Sequence, residues 1–428
     1  MKRILSIVCL VCMLALCVAP AMAEEPVQLR FSWWGGDTRH EATLKNLERY
    51  HELNPNVTIE GEYGGFDSYY QKLLTQLASN TAPDIIQVDY QWTADLMLQE
   101  APLVNIYDLT DKIDITNLAI DAVKGYCGTD DYLIGVPMGI NGRGIFYNID
   151  FFEKYGIEAS DDWTWEDMIA AGEKVNKQNP DAHLLFMQGN AIPYLLKDQI
   201  KQKLGVDMFS ADYKMNFTEE DLVEAFETIQ KLFETGTLPP PEELVLYEGV
   251  APEQIPNWLD GRWGMSVLSA SNLPSIIAGT SDFEIGTMRW VVAEGATESN
   301  ITVAPTQMLA VNANSPHIDE VCKFINWFIN DEEAIMTAKD TRGIPCNTKA
   351  VEMLQVNGLV QPQVSDMTNK ALAFPGSAEN GVTLNTELTN MMYEAIYSVA
   401  YGRQTPAEAA AQLIDDASLL MEDLKAGF

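Results

Sequence analysis

The strongest constraint on the fold is an alternation of periods close to the N-terminus. Residues 29–33 alternate apolar and polar as a half-buried strand does. Residues 39–53 then switch to helical spacing, with Leu44, Leu47 and Tyr50 on one face. The run NPNV stops that helix, 57–63 gives a second strand, and 66–78 a second helix carrying Tyr69, Leu73, Leu74 and Leu77. After TAPD, the short apolar stretch 85–88 is a third strand, ending in the polar segment Asp89, Tyr90, Gln91, Trp92. Strand, helix, strand, helix, strand requires a parallel sheet covered on both faces, and the fold class is α/β. Ligands of such sheets sit at the carboxyl ends of the strands. The two places where aromatic and charged side chains gather, 33–40 and 89–92, both follow directly after a strand.

Further on, DYLIGVPMGINGRGIFYN reads as a strand, a proline, a glycine-rich bend over 139–144 and another strand. Thr164 is placed to cap a helix, with Asp167 three residues on. A helix is expected over 218–234, a strand over 308–312, a helix from 318 to 328 running on through Glu333, and a helical tail to residue 428. Internal repeats and low-complexity linkers are absent. A chain of 428 residues exceeds one typical core, so at least two lobes are expected.

The first residues read as an export leader. Lys2 and Arg3 precede a 15-residue apolar run over 4–18, and Ala21, Met22 and Ala23 form a small-x-small cleavage site. The run is short for a bilayer span of about 20 residues. Residues 14–17 resemble a lipid-attachment motif, except that Leu16 stands where a small residue precedes the cysteine. Cleavage after Ala23 is the expectation and lipid at Cys17 the alternative, in a product that is secreted, periplasmic or held at the cell surface. Cys9, Cys12 and Cys17 fall in this leader, which leaves Cys127, Cys322 and Cys346, an odd number at wide spacing and no disulfide framework. The four histidines, His40, His51, His183 and His317, have no zinc spacing. No metal and no cofactor is expected. The net charge of −35, two units more negative once Lys2 and Arg3 leave, argues against nucleic acid and anionic lipid as partners.

Phosphate-loop, dinucleotide, nucleophile-elbow and zinc-hydrolase motifs are all missing. A glycosidase needs only two carboxylates at a set separation, and among 62 acidic residues the sequence singles out no such pair. What remains is aromatic and polar chemistry just after the strands. Sugars offer flat C–H faces for rings and a rim of hydroxyls for Asp, Asn, Gln and Arg. Trp33 with Trp34, Tyr90 with Trp92, and Asn141 with Arg143 have that chemistry. Side chains alternate along a strand, so one of Trp33 and Trp34 is expected to face inward. Phe66 is open between site and packing, Tyr69 is assigned to the core and Tyr70 to the surface.

The run FSWWGGDTRHEATLKNLERYHELNPNVTIEGEYGGFDSYYQKLLTQLASNTAPDIIQVD strongly resembles the N-terminal lobe of extracellular solute-binding proteins, family 1, the maltose-binding-protein-like carbohydrate receptors of ABC importers. The resemblance continues through LIGVPMGINGRGIFYN, DDWTWEDM, GRWGMSV, FINWFINDEEA, TRGIPCN and AFPGSAE, and so over nearly the whole chain beyond the leader. WWGGDTRHE, TRGIP and GSAE are most similar to the branch serving plant cell-wall oligosaccharides, including pectic fragments. The resemblance implies two α/β lobes of the type II periplasmic-binding-protein fold. The first lobe would be 24–139 with 306–343 and the second 140–305 with 344–428, with crossings near 139–141, 304–307 and 342–345.

By the same resemblance the first lobe lines the cleft with Trp33, Trp34, Asp37, Arg39, His40, Phe66, Asp67, Asp89, Tyr90 and Trp92. The second contributes Asn141, Arg143, Gln188, Asn190, Ser271, Asn272 and Glu379, and Arg342 reaches in from a crossing. Ser271 and Asn272 stand where maltose-binding relatives have an aromatic, which argues against malto-oligosaccharides. Arg39, Arg143 and Arg342 raise a uronate carboxylate as a ligand group, against the alternative that Arg39 and Arg342 pair with nearby acids. The implied function is non-catalytic capture of an oligosaccharide by a monomer and its delivery to membrane permease subunits served by a cytoplasmic ATPase. A receptor for a phosphodiester or short peptide, and an exported glycoside hydrolase or lyase, are the alternatives.

Overall fold

The computed structural model describes residues 25–66, 69–187 and 189–426. The strands are β1 (Val27–Trp34), β2 (Val57–Gly64), β3 (Ile85–Val88), β4 (Val136–Asn148), β5 (His183–Phe186), β6 (Trp263–Ser269), β7 (Ile285–Met288), β8 (Val303–Val311) and β9 (Ile344–Pro345). They are ordered β2-β1-β3-β8-β4-β6-β5, with β7 and β9 also pairing β4. β1 pairs β2 and β3 in parallel, as the opening alternation requires, with the helices Asp37–Leu53 and Tyr69–Ala78 as connections.

β4 is the structural axis. Its first half pairs β8 and its second half pairs β6 and β7, so one strand serves two sheets. This corrects the expected bend over 139–144. The glycines there permit close packing along an extended strand instead of turning it. A methyl group on Gly139 would lie 2.0 Å from the Arg342 carbonyl oxygen, and on Gly142 it would lie 2.7 Å from Ala371 Cβ. The register does shift around Gly139. β8 likewise begins five residues earlier than the expected strand, running through Pro305.

Strand directions place the ends that matter. β3 is antiparallel to β8, and β8 is antiparallel to β4, so β1 and β3 run in the same sense as β4. β6 is antiparallel to β4 and parallel to β5. The carboxyl ends of β1 and β3 therefore face those of β5 and β6 from opposite sides of the junction. At the junction Gly139 pairs with Gln307 and Pro345, and Ile140 with Pro305 and Ile344, so β4, β8 and β9 lie side by side.

Helices cover both sheets. Thr164 caps Trp165–Gln178 with the expected reciprocal box from Asp167. The helix expected to run from 318 through Glu333 is two helices, Ile318–Asn330 and Glu332–Ala338, because Asp331 turns extended and caps the second. The helix Thr348–Val356 packs against Glu332–Ala338, and Asn347 bonds Ile329 and Asn330. The segment just after β9 thus sits with the first sheet, whereas the expected division placed it with the second. Pro406–Ala426 packs on Glu219–Glu234.

Candidate functional site

The strand β1 runs through both indoles, and its alternation sends them to opposite faces. Trp33 is fully buried, 4.9 Å from Tyr63 in a stacked pair, and its Nε1 donates to His40 Nδ1 at 3.0 Å. Trp33 therefore belongs to the packing of the first lobe, a correction to its assignment as a cleft residue, while its partner His40 is half-buried. Trp34 points to the other face, toward Phe66, Tyr69 and Trp92 at centroid distances of 5.5, 5.1 and 5.1 Å. Trp92 lies nearly parallel to Phe66, Tyr69 and Tyr70. Five rings thus gather at the carboxyl ends of β1 and β3. Phe66, 44 % exposed, is the most open of them, while Trp34 and Trp92 form the layer beneath it. Tyr70, expected on the surface, is a ring of this cluster, stacked on Trp92 at 4.5 Å. The sequence signal for it was helical spacing from Phe66.

The polar neighbours divide. Asp37 is exposed in the first turn of its helix. Asp89 is buried and its carboxylate accepts from the Gln91 backbone, capping the turn that carries Trp92; burial raises its pKa. Arg39 donates from Nε to the Thr341 carbonyl and from Nη1 to the Trp34 carbonyl, both at 2.9 Å. Arg342 is 4 % exposed, donates to Thr43 and Gln87, and lies over Phe328 at 5.3 Å. Its burial corrects its assignment as a cleft residue. Among the described residues neither arginine has a carboxylate partner. Burial, then the Arg39 charge, push Arg342 down to about 9.

The second lobe presents a different chemistry. Asn141 and Ser271 exchange two hydrogen bonds, Nδ2 to Oγ at 2.9 Å and the Ser271 amide to Oδ1 at 3.0 Å. This ties the end of β6 to the junction and leaves Asn272 exposed beside it. Arg143 is buried, not lining: its Nη2 donates to both carboxylate oxygens of Asp198, and its guanidinium lies 4.4 Å over Tyr194. Burial opposes both charges of this pair; Asp198 nonetheless holds Arg143 above its ordinary value, and burial keeps the Asp198 carboxyl high. Glu379 is paired with Lys197 at 3.4 Å and accepts from the Tyr194 hydroxyl. Lys197, Asp198 and Lys201, all buried on the helix Tyr194–Leu204, went unseen in the sequence because charges at that spacing read as a solvated face. Tyr90 meets Tyr126 edge-on at 5.5 Å, and Glu379 and Tyr194 act electrostatically on Tyr126, whose pKa burial raises first. Tyr126 was also missed. Gln188, Asp67 and the side chain of Asn190 lie outside the described residues.

Two hollows flank this region. One, about 530 Å³, lies at the ends of β5 and β6 and is lined by Phe186, Ala191, Val250, Leu268, Asn272 and Ser275 among others. The second, about 560 Å³, runs between the helix Ile120–Cys127 and residues 375–378. The five-ring cluster lines neither of these two hollows, whereas Asn272 lines the first.

Residues 36–335 match the bacterial extracellular solute-binding protein family. The multiple sugar-binding protein of Streptococcus mutans is 22% identical over 330 residues, spanning 73% of each chain. A periplasmic oligogalacturonide binding protein from Yersinia enterocolitica superposes with a TM-score of 0.78 at 23% identity, over 93% of this chain and 100% of that one. An extracellular solute-binding protein of family 1 from Alicyclobacillus acidocaldarius gives 0.80 at 22%, over 93% and 99%. The fold is the two-lobed one of periplasmic solute-binding proteins, and the chain belongs to the bacterial extracellular solute-binding protein family.

Proposed function

We propose that this protein captures an oligosaccharide between its lobes and delivers it to the permease of an ABC importer, without breaking a bond. The observation that carries the reading is the ring cluster of Trp34, Phe66, Tyr69, Tyr70 and Trp92 at the strand ends that face the second lobe. Phe66 offers a flat apolar face of the kind a pyranose stacks on, held by two indoles below. Names borne by relatives, a multiple sugar-binding protein and an oligogalacturonide binding protein, support the same ligand class.

The lobes in this reading are 24–139 with 306–343, and 140–305 with 344–428, with the helix Thr348–Val356 assigned to the first. The strands β4, β8 and β9 form the hinge. Closure is a shift of population toward the state in which sugar touches both lobes. Arg39, partly open and without a carboxylate partner among the described residues, is the group that would meet a uronate; Arg143 is already neutralised by Asp198. The protein acts outside the cytoplasm as a monomer, and no helix among the described residues is long and apolar enough to cross a membrane.

A glycan library read by thermal shift tests the reading. Stabilisation by at least one oligosaccharide class, with none by phosphodiesters or short peptides, is expected. No stabilisation by any carbohydrate sinks it, and release of reducing ends or unsaturated products on incubation would make the protein an enzyme.

A further inference from the structure

The hollow at the ends of β5 and β6 is built from aliphatic groups. Val250, Ala251, Pro252, Leu268 and Ala191 line it, with Phe186, itself buried. Polar atoms sit at the edge: Asn272 and Ser275 on one side and Glu253 on the other. The Ser266 hydroxyl deeper in is already spent on the Phe186 carbonyl at 2.6 Å. At about 530 Å³ the hollow has room for a sugar unit and a substituent. It lies where β5 and β6 end, and its lining includes Asn272, which the family resemblance assigns to the cleft.

A bare pyranose fits this lining poorly. Its hydroxyls would face methyl groups and leave hydrogen bonds unmade, which costs affinity. Its C–H face would find no exposed ring in place of the five on the first lobe. A sugar unit carrying a short ester suits it better. The ester methyl can lie among Val250, Ala251 and Leu268, and the ester carbonyl can accept from the Asn272 amide or the Ser275 hydroxyl at the edge. We propose that the hollow bounded by Val250, Ala251, Leu268 and Asn272 holds an esterified sugar unit of the bound oligosaccharide, O-acetylated or methyl-esterified. The proposal rests on the oligosaccharide reading and sharpens it, since it predicts preference for native, ester-bearing glycans over their de-esterified forms.

The test uses native acetylated xylan oligosaccharides and methyl-esterified pectic oligosaccharides, each before and after saponification, titrated calorimetrically into the whole protein. Burial of one methyl group is expected to favour the acetylated pool by about fourfold; in the pectic pool saponification also bares a carboxylate beside Glu253, so the preference there is expected to be larger. Which of the two pools shows the preference tells the acetyl from the methyl ester. Ala251→Asp places a carboxylate in the wall at the cap position of the turn Pro252–Gln254, where Asp is well tolerated. It should abolish the preference, read as the ratio of affinities for the native and saponified pools within the variant. Equal affinity before and after saponification for both glycans, or no binding of either pool, overturns the ester site. Absence of stabilisation by every glycan of the library overturns the oligosaccharide reading with it.

Discussion

The two lobes meet the junction with opposite chemistry. On the first, five rings pack at the strand ends and the two nearby arginines bond only neutral oxygens: Arg39 two carbonyls, Arg342 a hydroxyl and an amide oxygen. On the second, Arg143 is matched by Asp198, Lys197 by Glu379 and Lys201 by Asp207 at 2.8 Å. These three pairs are internal ties, each charge neutralised where it sits. The first lobe keeps positive charge without a carboxylate partner among the described residues, in a chain that is otherwise strongly acidic. In the proposed capture the first lobe would offer rings in layers, and the second a largely aliphatic hollow edged by Asn272, Ser275 and Glu253.

The largest expected effect breaks the second-lobe pairing. Asp198→Asn strips the buried Arg143 of its counter-charge and should destabilise the protein by about 3–5 kcal/mol, read from chemical denaturation. A loss below about 1 kcal/mol would mean that the pair is no tie. Next comes the contrast itself. Phe66→Ala removes an open ring and should weaken sugar binding by about 1–3 kcal/mol, with the melting temperature nearly unchanged. Trp92→Ala, by contrast, empties the layer beneath and should cost about 3–5 kcal/mol of stability. If both variants lose binding and neither loses stability, the layered description of the rings is wrong.

Gly139→Ala probes the junction where the lobes join. The added methyl meets the Arg342 carbonyl at 2.0 Å, which must move, and about 1–3 kcal/mol of stability should be lost. The smallest effect is electrostatic and confined to the second lobe. Burial, opposed by the bond between His183 and the Gly236 carbonyl, lowers the His183 pKa below 6.5. The unfolded chain takes up the proton first, so stability should fall as pH drops through 6.5 toward the folded value. His183→Gln should flatten that part of the stability profile. An unchanged slope would show that His183 is not its source.

The sequence carried much of the first lobe and little of the second, for a physical reason. β1, β2, β3 and their helices are consecutive, so their periods declare them one after another, and β3 was read at its observed limits, Ile85–Val88. The alternation of Trp33 and Trp34 likewise follows from neighbouring residues. Arg143 and Asp198 are far apart along the chain, as are Lys201 and Asp207 from any visible motif, and no local pattern announces that a charged helix such as Tyr194–Leu204 is buried. The glycines of β4 misled because the sequence shows that side chains are missing but not what occupies their place, here Arg342, Ala371 and Met367. Arg39 and Arg342 were weighed as partners of nearby acids; two backbone carbonyls took Arg39, and the Thr43 hydroxyl and Gln87 amide oxygen took Arg342, partners that no sequence pattern marks.

The central claim is that the first-lobe rings hold a sugar. Its most direct test is the thermal shift of wild type and Phe66→Ala with the glycan that stabilises wild type most. At a ligand concentration about 100 times the dissociation constant, wild type should gain about 2.7 kcal/mol. Phe66→Ala should lose most of that gain while matching wild type without ligand. An equal gain in the two proteins would contradict it.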